Sequence, residues 1–598
     1  MSVFFGHLIA DNVKNSPSIE STDWGNAIIQ HSPCLFINQN NRPEQHDNLI
    51  ITYSGQPVWL DPELCQLKKQ HGLSASIATA YNKLGAAFLL KLTGGFVISI
   101  YDIKANKLFI AIDKMGIGRL VYKEKEGVLF SDSIKTIQQL SPNKLTINHQ
   151  AIYDYVYFHM VPSPESFFNG IKKLEPAHYL TYDQGKLTKT KYWEPNFSEE
   201  TNLNKNQLNE KLHGHLKNAV KRSLPADSSV GAFLSGGLDS STISGTLASF
   251  ESNPNTFTIG FDAEGYDETP YARIASRHFH TKHHEYFVTP QDVLDAVPKI
   301  AAAYDEPFGN SSAIPTYFCA KLAKENGCET LLAGDGGDEL FAGNERYSKQ
   351  KIFETFNNSP RAIKSLAKLP YTLLPTIKNN KLFAKGHSFL QQAATPLPQR
   401  MENYNFLHQI SPATTFNSSL LESINTNNPI NHLQAYYNAP NNASSLNRMH
   451  YMDWKRTLAD NDLRKVSQMC QLAGVEVKYP FLDSDLVDFS CSIPSQTKLK
   501  GLQLRHFYKQ AMKGFLPNEI LTKSKHGFGL PFGVWMKTNK DLQALAYDNI
   551  SSLKERSFFN ADFLDDAINQ HKSGHASYYG ELIWVLMMLE LWLQANGT

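Results

Sequence analysis

The stretch Val230-Gly231-Ala232-Phe233-Leu234-Ser235-Gly236-Gly237-Leu238-Asp239-Ser240-Ser241 decides how this chain is read. Val230 to Leu234 is a short apolar run suited to a buried parallel strand, and Ser240 to Phe250 (SSTISGTLASF) suits a helix following it. Between them two glycines let the backbone turn tightly and aim amide N–H groups at an anion. Serine hydroxyls add donors, and the helix N-terminus adds positive dipole. The combination is a pyrophosphate cradle, with Leu234, Ser235, Gly236, Gly237, Asp239, Ser240 and Ser241 as candidate nucleotide-binding residues. A lone Ser-Gly-Gly is as often an ordinary strand-to-helix turn, whereas the full seven residues are far more specific. No Gly-Lys-Ser/Thr follows, so cleavage between the α- and β-phosphates of ATP suits the loop better than γ-phosphoryl transfer.

Outward from this loop, the strand-then-helix alternation returns at TFTIGF and ETLLAG. After ETLLA comes Gly334-Asp335-Gly336-Gly337-Asp338-Glu339, three acids among glycines at a strand end, where open α/β sheets bind ligands. Magnesium takes one or two carboxylates plus phosphate oxygens and water, so Asp239 and Asp338 could share Mg2+ and leave Asp335 for proton or substrate work. Gly260, in Thr258-Ile259-Gly260-Phe261, could let an adenine approach the backbone, and Asp305-Glu306-Pro307 is another acidic strand exit. Each is weak alone. Lys523-Ser524-Lys525-His526-Gly527-Phe528-Gly529 offers cations on a loop suited to stabilising an adenylate or departing pyrophosphate.

The 598 residues exceed what one core usually serves, so two or more domains are expected. Leu92 to Phe130 reads as a meander of short strands (GGFVISIYD, KLFIAID, RLVYKEKEGVLFSD). The polar stretch Glu194 to Gln207 reads as a boundary between domains at 1–200 and 208–598. The Asn/Pro/Ser-rich segment of about 349–449 reads as a helical insert covering the nucleotide-binding layer. With 58 Lys plus Arg against 57 Asp plus Glu, no global field would gather nucleic acid or an anionic membrane surface. Six dispersed cysteines, none in Cys-x-x-Cys, oppose zinc, iron–sulfur and dithiol chemistry. Neither a signal segment nor a run of about 18 apolar residues is present, so a cytoplasmic enzyme is expected.

At these loops the chain resembles the asparagine-synthetase family, whose ATP-binding domain carries Ser-Gly-Gly-x-Asp-Ser and a Gly-Asp/Glu-Gly-x-Asp-Glu loop. The resemblance extends through Glu476 to Asp483 (EVKYPFLD), Leu504-Arg505, Phe515-Leu516-Pro517 and Lys525, over nearly all of 210–540. It implies an α/β chain with two parts. The first is an Ntn-hydrolase-like αββα domain of class II glutamine amidotransferase type. The second is a PP-loop ATP-pyrophosphatase domain with a parallel sheet and many helices. It also implies ATP and Mg2+ as cofactors, Asp239 and Asp338 on the metal, Asp335 where synthetases place a Glu that assists the attacking amine, and Lys525 at the lysine that stabilises the adenylate.

The amino-terminal half resembles the family's hydrolase domain, through its strand pattern and TYDQGKLTKTKYWEP, but departs from its catalytic text. Ser2 stands where glutamine-hydrolysing members expose a Cys nucleophile, and serine is far weaker without a strong base. Arg-Gly-Pro-Asp is reduced to Asn41-Arg42-Pro43-Glu44, Asn-Gly-Glu to Ser54-Gly55-Gln56, and Gly-Asp-Phe to Gly94-Gly95-Phe96. Each lost hydrogen bond to a charged group of glutamine costs about 1.5–3 kcal/mol. A degenerate, scaffold-only first domain is therefore expected, with the amine supplied by the substrate.

Members with this combination look like lasso-peptide cyclases and, more distantly, β-lactam synthetases. The acidic Asp335, where the β-lactam branch has Tyr, and the long middle region favour the cyclase. That resemblance implies a precursor peptide as substrate, with a leader-binding protein and a leader peptidase as partners, and neither nucleic acid nor membrane. An ammonia-using amidotransferase acting on a small carboxylate or sugar acid, and a non-catalytic nucleotide- or peptide-binding scaffold, stay open. An RNA-modifying PP-loop enzyme fits worst, given the balanced charge. Lys465-Val466-Ser467-Gln468, where synthetases have Asp-Arg after Lys-Val, reads either as a changed acceptor pocket or as neutral drift.

Overall fold

A computed structural model describes residues 4–9, 28–31, 34–124, 127–140, 144–226, 228–263, 265–360, 362, 364, 381–403, 405–524, 529–573 and 576–597. Among these residues, the amino-terminal half stacks two six-stranded antiparallel sheets. One orders Lys172–Lys173, Val121–Glu124, Gly127–Ser131, Phe4–Ile9, Cys34–Asn38 and Ile28–His31. The other orders Lys186–Lys191, His178–Asp183, Lys107–Ile112, Phe96–Asp102, Leu49–Gly55 and Glu44–His46.

Alternation along Phe96–Asp102 shows why both faces are apolar: each is covered. Val97 and Tyr101 turn into the core between the sheets with Phe4, Phe36 and Ile110. Phe96, Ile98 and Ile100 turn outward with Ile77 and Phe88, from the helix Pro62–Leu84 and the short turn after it. The hairpins expected as one meander fall in different sheets, because the chain crosses over at Asp113. That buried carboxylate accepts from the backbone N–H groups of Phe96, Met115, Ile117 and Gly118 at 2.6–3.2 Å and so wraps the crossing loop.

The carboxy-terminal half is built on five parallel strands: β1 (Val230–Phe233), β2 (Asn255–Phe261), β3 (Lys282–Val288), β4 (Thr330–Leu332) and β5 (Glu476–Lys478). Their order is β3-β2-β1-β4-β5. The chain leaves β1 in one direction for β2 and returns to its other side as β4, so a crevice opens at the carboxyl ends of these two strands. Helices α1 (Lys205–Ser223), α2 (Leu238–Leu247), α3 (Ala313–Glu325), α4 (Gly337–Phe341), α5 (Leu463–Ala473) and α6 (His506–Ala511) surround the sheet.

The halves share a core. The Tyr155 hydroxyl donates to the Val585 carbonyl at 2.8 Å, and Phe167 meets Trp592 edge-on at 4.8 Å. Both partners lie on the helix Ala576–Ala595, whose residues from Leu582 to Leu589 are all buried. No helix among the described residues is long and apolar enough to cross a membrane. The polar stretch between the halves is pinned by Glu199, which accepts from Ser495 Oγ at 2.6 Å and Asn447 Nδ2 at 2.6 Å.

Part of the segment read as a cover for the nucleotide layer reaches the amino-terminal half. Tyr153 packs on Phe416, Asn428 donates to Asp154 at 2.9 Å, and His432 meets the Ser163 carbonyl at 2.8 Å. These residues pack on the helix His149–Phe158 and the loop after it.

Candidate active site

A cavity of about 740 Å³ opens at the carboxyl ends of β1 and β4. Leu234, Ser235, Gly237, Asp239 and Ser240 line it from the first loop; Gly334, Asp335 and Asp338 line it from the second. The first loop is tied internally. Ser240 Oγ accepts from Ser235 N at 3.1 Å and lies 3.0 Å from Ser235 Oγ, which in turn accepts from Gly237 N at 3.3 Å. Gly236 adopts φ +66°, and a Cβ there would strike the backbone of Tyr271 and Ala272. Its lack of a side chain is required twice, by the turn and by the close approach.

Three of the candidate binding residues stand off the cavity. Gly236 serves the turn. Ser241 is fully buried inside α2. Gly260 makes room for the Phe287 ring and the Thr269 methyl, not for an adenine, and the neighbouring Thr258 and Ile259 face the cavity instead. Lys525 lies outside the described residues, while its neighbour Lys523 lines the cavity, pairs with Glu268 at 2.6 Å and sits over the Tyr271 ring at 4.6 Å.

Asp335 is partly buried, and burial pushes its carboxyl up to about 6, against the pull of the Lys465 cation. Lys465 is held at 3.0 Å from Asp462; burial disfavours its charge, but Asp462 and Asp335 together raise its pKa above the ordinary lysine value. An acid that titrates near neutrality beside a fixed cation can exchange a proton with an amine. The sequence placed Lys465 only in the Lys-Val that precedes the departure at Ser467-Gln468, and gave it no role. Helix α5 carries it, and the following residues Ser467 and Gln468 face a different cavity.

Asp239 and Asp338 converge on a single cation, the guanidinium of Arg505, which forks across both oxygens of Asp239 and also reaches Asp338 Oδ1. Arg505 was visible in the sequence only as half of a Leu-Arg pair. A Cβ on Gly337 or Gly343 would strike the Asp239 and Asp338 carboxylates respectively, so glycines keep the space around both acids open. Among the described residues no three His, Cys, Asp or Glu side chains gather as a metal cage. Two convergent carboxylates fit magnesium, which is usually held by one or two carboxylates together with substrate phosphates.

The second cavity, about 1150 Å³, lies between the halves. Ser54, Gly55, Gln56, Gly94 and Gly95 line one side; Ser467, Gln468, Glu476 and Tyr479 line the other. Asp305 and Glu306 face it too, pairing with Arg119 and Lys173 of the amino-terminal half at 3.1 and 2.8 Å. The reading as an acidic strand exit is corrected: the pair follows the helix Pro290–Ala303, and it joins the halves. Arg42 is exposed, and Ser2 lies outside the described residues.

A sequence model of the asparagine synthase family matches residues 211–594, and one of the glutamine amidotransferase domain matches residues 69–193. The chain belongs to the asparagine synthase family. Its amino-terminal half has the Ntn-type amidotransferase fold, and its carboxy-terminal half the family's parallel-sheet domain. Members are ATP-dependent ligases that form amides with release of AMP and pyrophosphate, and this chain is such an enzyme. "Asparagine synthetase [glutamine-hydrolyzing] 1" of Bacillus subtilis is 26% identical over 512 residues, 85% of this chain and 78% of that protein. A "putative asparagine synthetase [glutamine-hydrolyzing]" of Mycobacterium bovis is 25% identical over 92% of this chain and 85% of its own length. A Methanocaldococcus jannaschii protein, "putative asparagine synthetase [glutamine-hydrolyzing] 2", is 35% identical over 50% of this chain and 59% of its own length.

Proposed function

We propose that this enzyme closes a macrolactam in a ribosomally made peptide, as a lasso-peptide cyclase. A side-chain carboxyl of the peptide attacks the α-phosphorus of ATP, giving an acyl-adenylate and pyrophosphate. The peptide's own N-terminal amine then attacks the acyl carbon, AMP leaves, and the amine's proton passes to a base. Asp239 and Asp338 would hold Mg2+, which supplies charge neutralisation at the phosphates. The Ser235 loop orients the polyphosphate, and Asp335 receives the proton.

The observation that carries this reading is Asp335, a carboxyl titrating near 6 on the wall of the same cavity as Asp239 and Asp338. Support for an amine from the substrate comes from the amino-terminal half. Gln56 stands where the family has a glutamine-contacting Glu and instead donates to Glu476. The 1150 Å³ cavity beyond α5 gives room to hold a peptide while its ends react, and that positioning accounts for much of the rate. The partners this reading requires are a precursor peptide, a leader peptidase and a leader-binding protein.

Mass spectrometry of a candidate core peptide incubated with enzyme, ATP and magnesium tests it. Loss of one water with AMP release, independent of glutamine, is expected. A second reading, transfer of free ammonia to a small carboxylate, draws on the relatives named asparagine synthetase that span up to 92% of the chain. AMP release that requires ammonia and a small acid would select it.

A further inference from the structure

Asp239 and Asp338 stand in the first turns of α2 and α4, which follow different strands, β1 and β4, yet one guanidinium neutralises both. The Arg505 side chain is 5% exposed, and its guanidinium lies 5.6 Å from the centre of the Tyr508 ring. The Tyr508 hydroxyl donates to Thr242 Oγ1 at 2.7 Å, fastening this arm to α2, the helix of the phosphate cradle. Without a cation, two carboxylates this close would repel and splay. The planar fork of arginine holds them as a point charge on lysine could not.

A divalent ion would need the same oxygens. A guanidinium left on those atoms would place two cations side by side. We propose that Arg505 is a resident counter-cation, one that yields Asp239 and Asp338 to the metal when nucleotide enters and moves onto the polyphosphate oxygens. This rests on the reading of those two acids as the metal ligands. Lys523, on the same cavity, is likewise held by an acid, Glu268, and Lys509 lines the wall beside them. Before nucleotide, Arg505 and Lys523 are therefore held on the site's own carboxylates. The exchange makes metal alone a poor ligand, because nothing receives the displaced guanidinium, and makes metal and nucleotide bind cooperatively.

The full-length protein titrated with Mn2+, free ion being read by electron paramagnetic resonance, tests the exchange. Without nucleotide, Arg505→Gln binds Mn2+ about tenfold more tightly than wild type, with Arg505→Lys between them. With a non-hydrolysable ATP analogue the wild-type affinity rises to match, while Arg505→Gln binds the analogue more weakly even at saturating Mn2+. In metal-free buffer Arg505→Gln melts below wild type and regains the difference on adding Mn2+. Should the glutamine variant fail to fold, the lysine variant carries the comparison. Equal Mn2+ affinity of wild type and variant without nucleotide overturns the exchange. If no form binds Mn2+ even with the analogue, the metal-ligand reading itself fails, and the proposal with it.

Discussion

Gln56 Nε2 donates to Glu476 Oε2 at 2.8 Å, tying a turn of the amino-terminal half to the last strand of the parallel sheet. Both side chains reach solvent. Gln56→Glu, which restores the acidic residue of the family's motif, sets two carboxylates against each other. It is expected to lower the melting temperature slightly, the loss shrinking as salt screens the repulsion. It creates no glutaminase activity, because the thiol at position 2 is still missing. Thermal shift across a salt series, with glutamate release measured in parallel, checks both outcomes.

Asp335 sets a pH dependence of definite sign. Its folded-state pKa is raised to about 6 by burial, and it serves as base only when ionised. Accordingly, kcat/KM rises with pH through about 6 and levels above it. Lys465 pulls this value down, so Lys465→Met moves the limb to higher pH. Asp335→Asn abolishes the limb and lowers the rate by about 10²–10⁴, the usual contribution of a positioned base. Profiles from pH 5 to 9 decide it, and an unshifted limb in Lys465→Met counts against the assignment.

Asp239→Ala and Asp338→Ala are each expected to abolish ATP-to-AMP turnover, while Ser2→Ala leaves product formation unchanged. Loss of product in Ser2→Ala would reinstate the amino-terminal half as a working hydrolase. Turnover followed by release of AMP and pyrophosphate separates these results.

The nucleotide loops were legible because their chemistry is local. Two glycines, a strand before and a helix after fix Ser235 to Ser241 and Gly334 to Asp338 without reference to the rest of the chain. Gly260 shows the limit of that reading: a glycine that makes room for an adenine and one that makes room for Phe287 look alike in a sequence, because the ring comes from the neighbouring strand β3. Arg505 and Lys465 were hidden for the same reason. They lie 266 and 130 residues from the acids they serve, separations taken from Asp239 to Arg505 and from Asp335 to Lys465. The crossing of the chain between the two amino-terminal sheets depends on a single buried carboxylate, Asp113, whose partners are backbone amides that carry no sequence signature.

Glu306 offers the sharpest test of how the halves are joined. Its carboxylate takes the Lys173 ammonium at 2.8 Å and the Phe167 backbone N–H at 2.8 Å, and the side chains of Glu306 and Lys173 are 11% and 8% exposed. Breaking such a pair by removing one partner leaves the other charge buried and typically costs about 3–5 kcal/mol. Glu306→Gln keeps the shape and can still accept from Phe167, so its loss comes from stranding Lys173 and leaving Arg119 with Asp305 alone. Lys173→Met strands Glu306 instead. The double variant removes both charges and is expected to recover part of the loss, since the remaining apolar surface needs no counter-charge. Chemical denaturation of the four proteins gives the coupling energy directly. Strict additivity would mean that Lys173 and Glu306 do not act as a pair, leaving the halves to the shared core around Tyr155 and Trp592 and to their other contacts, such as Arg119 with Asp305.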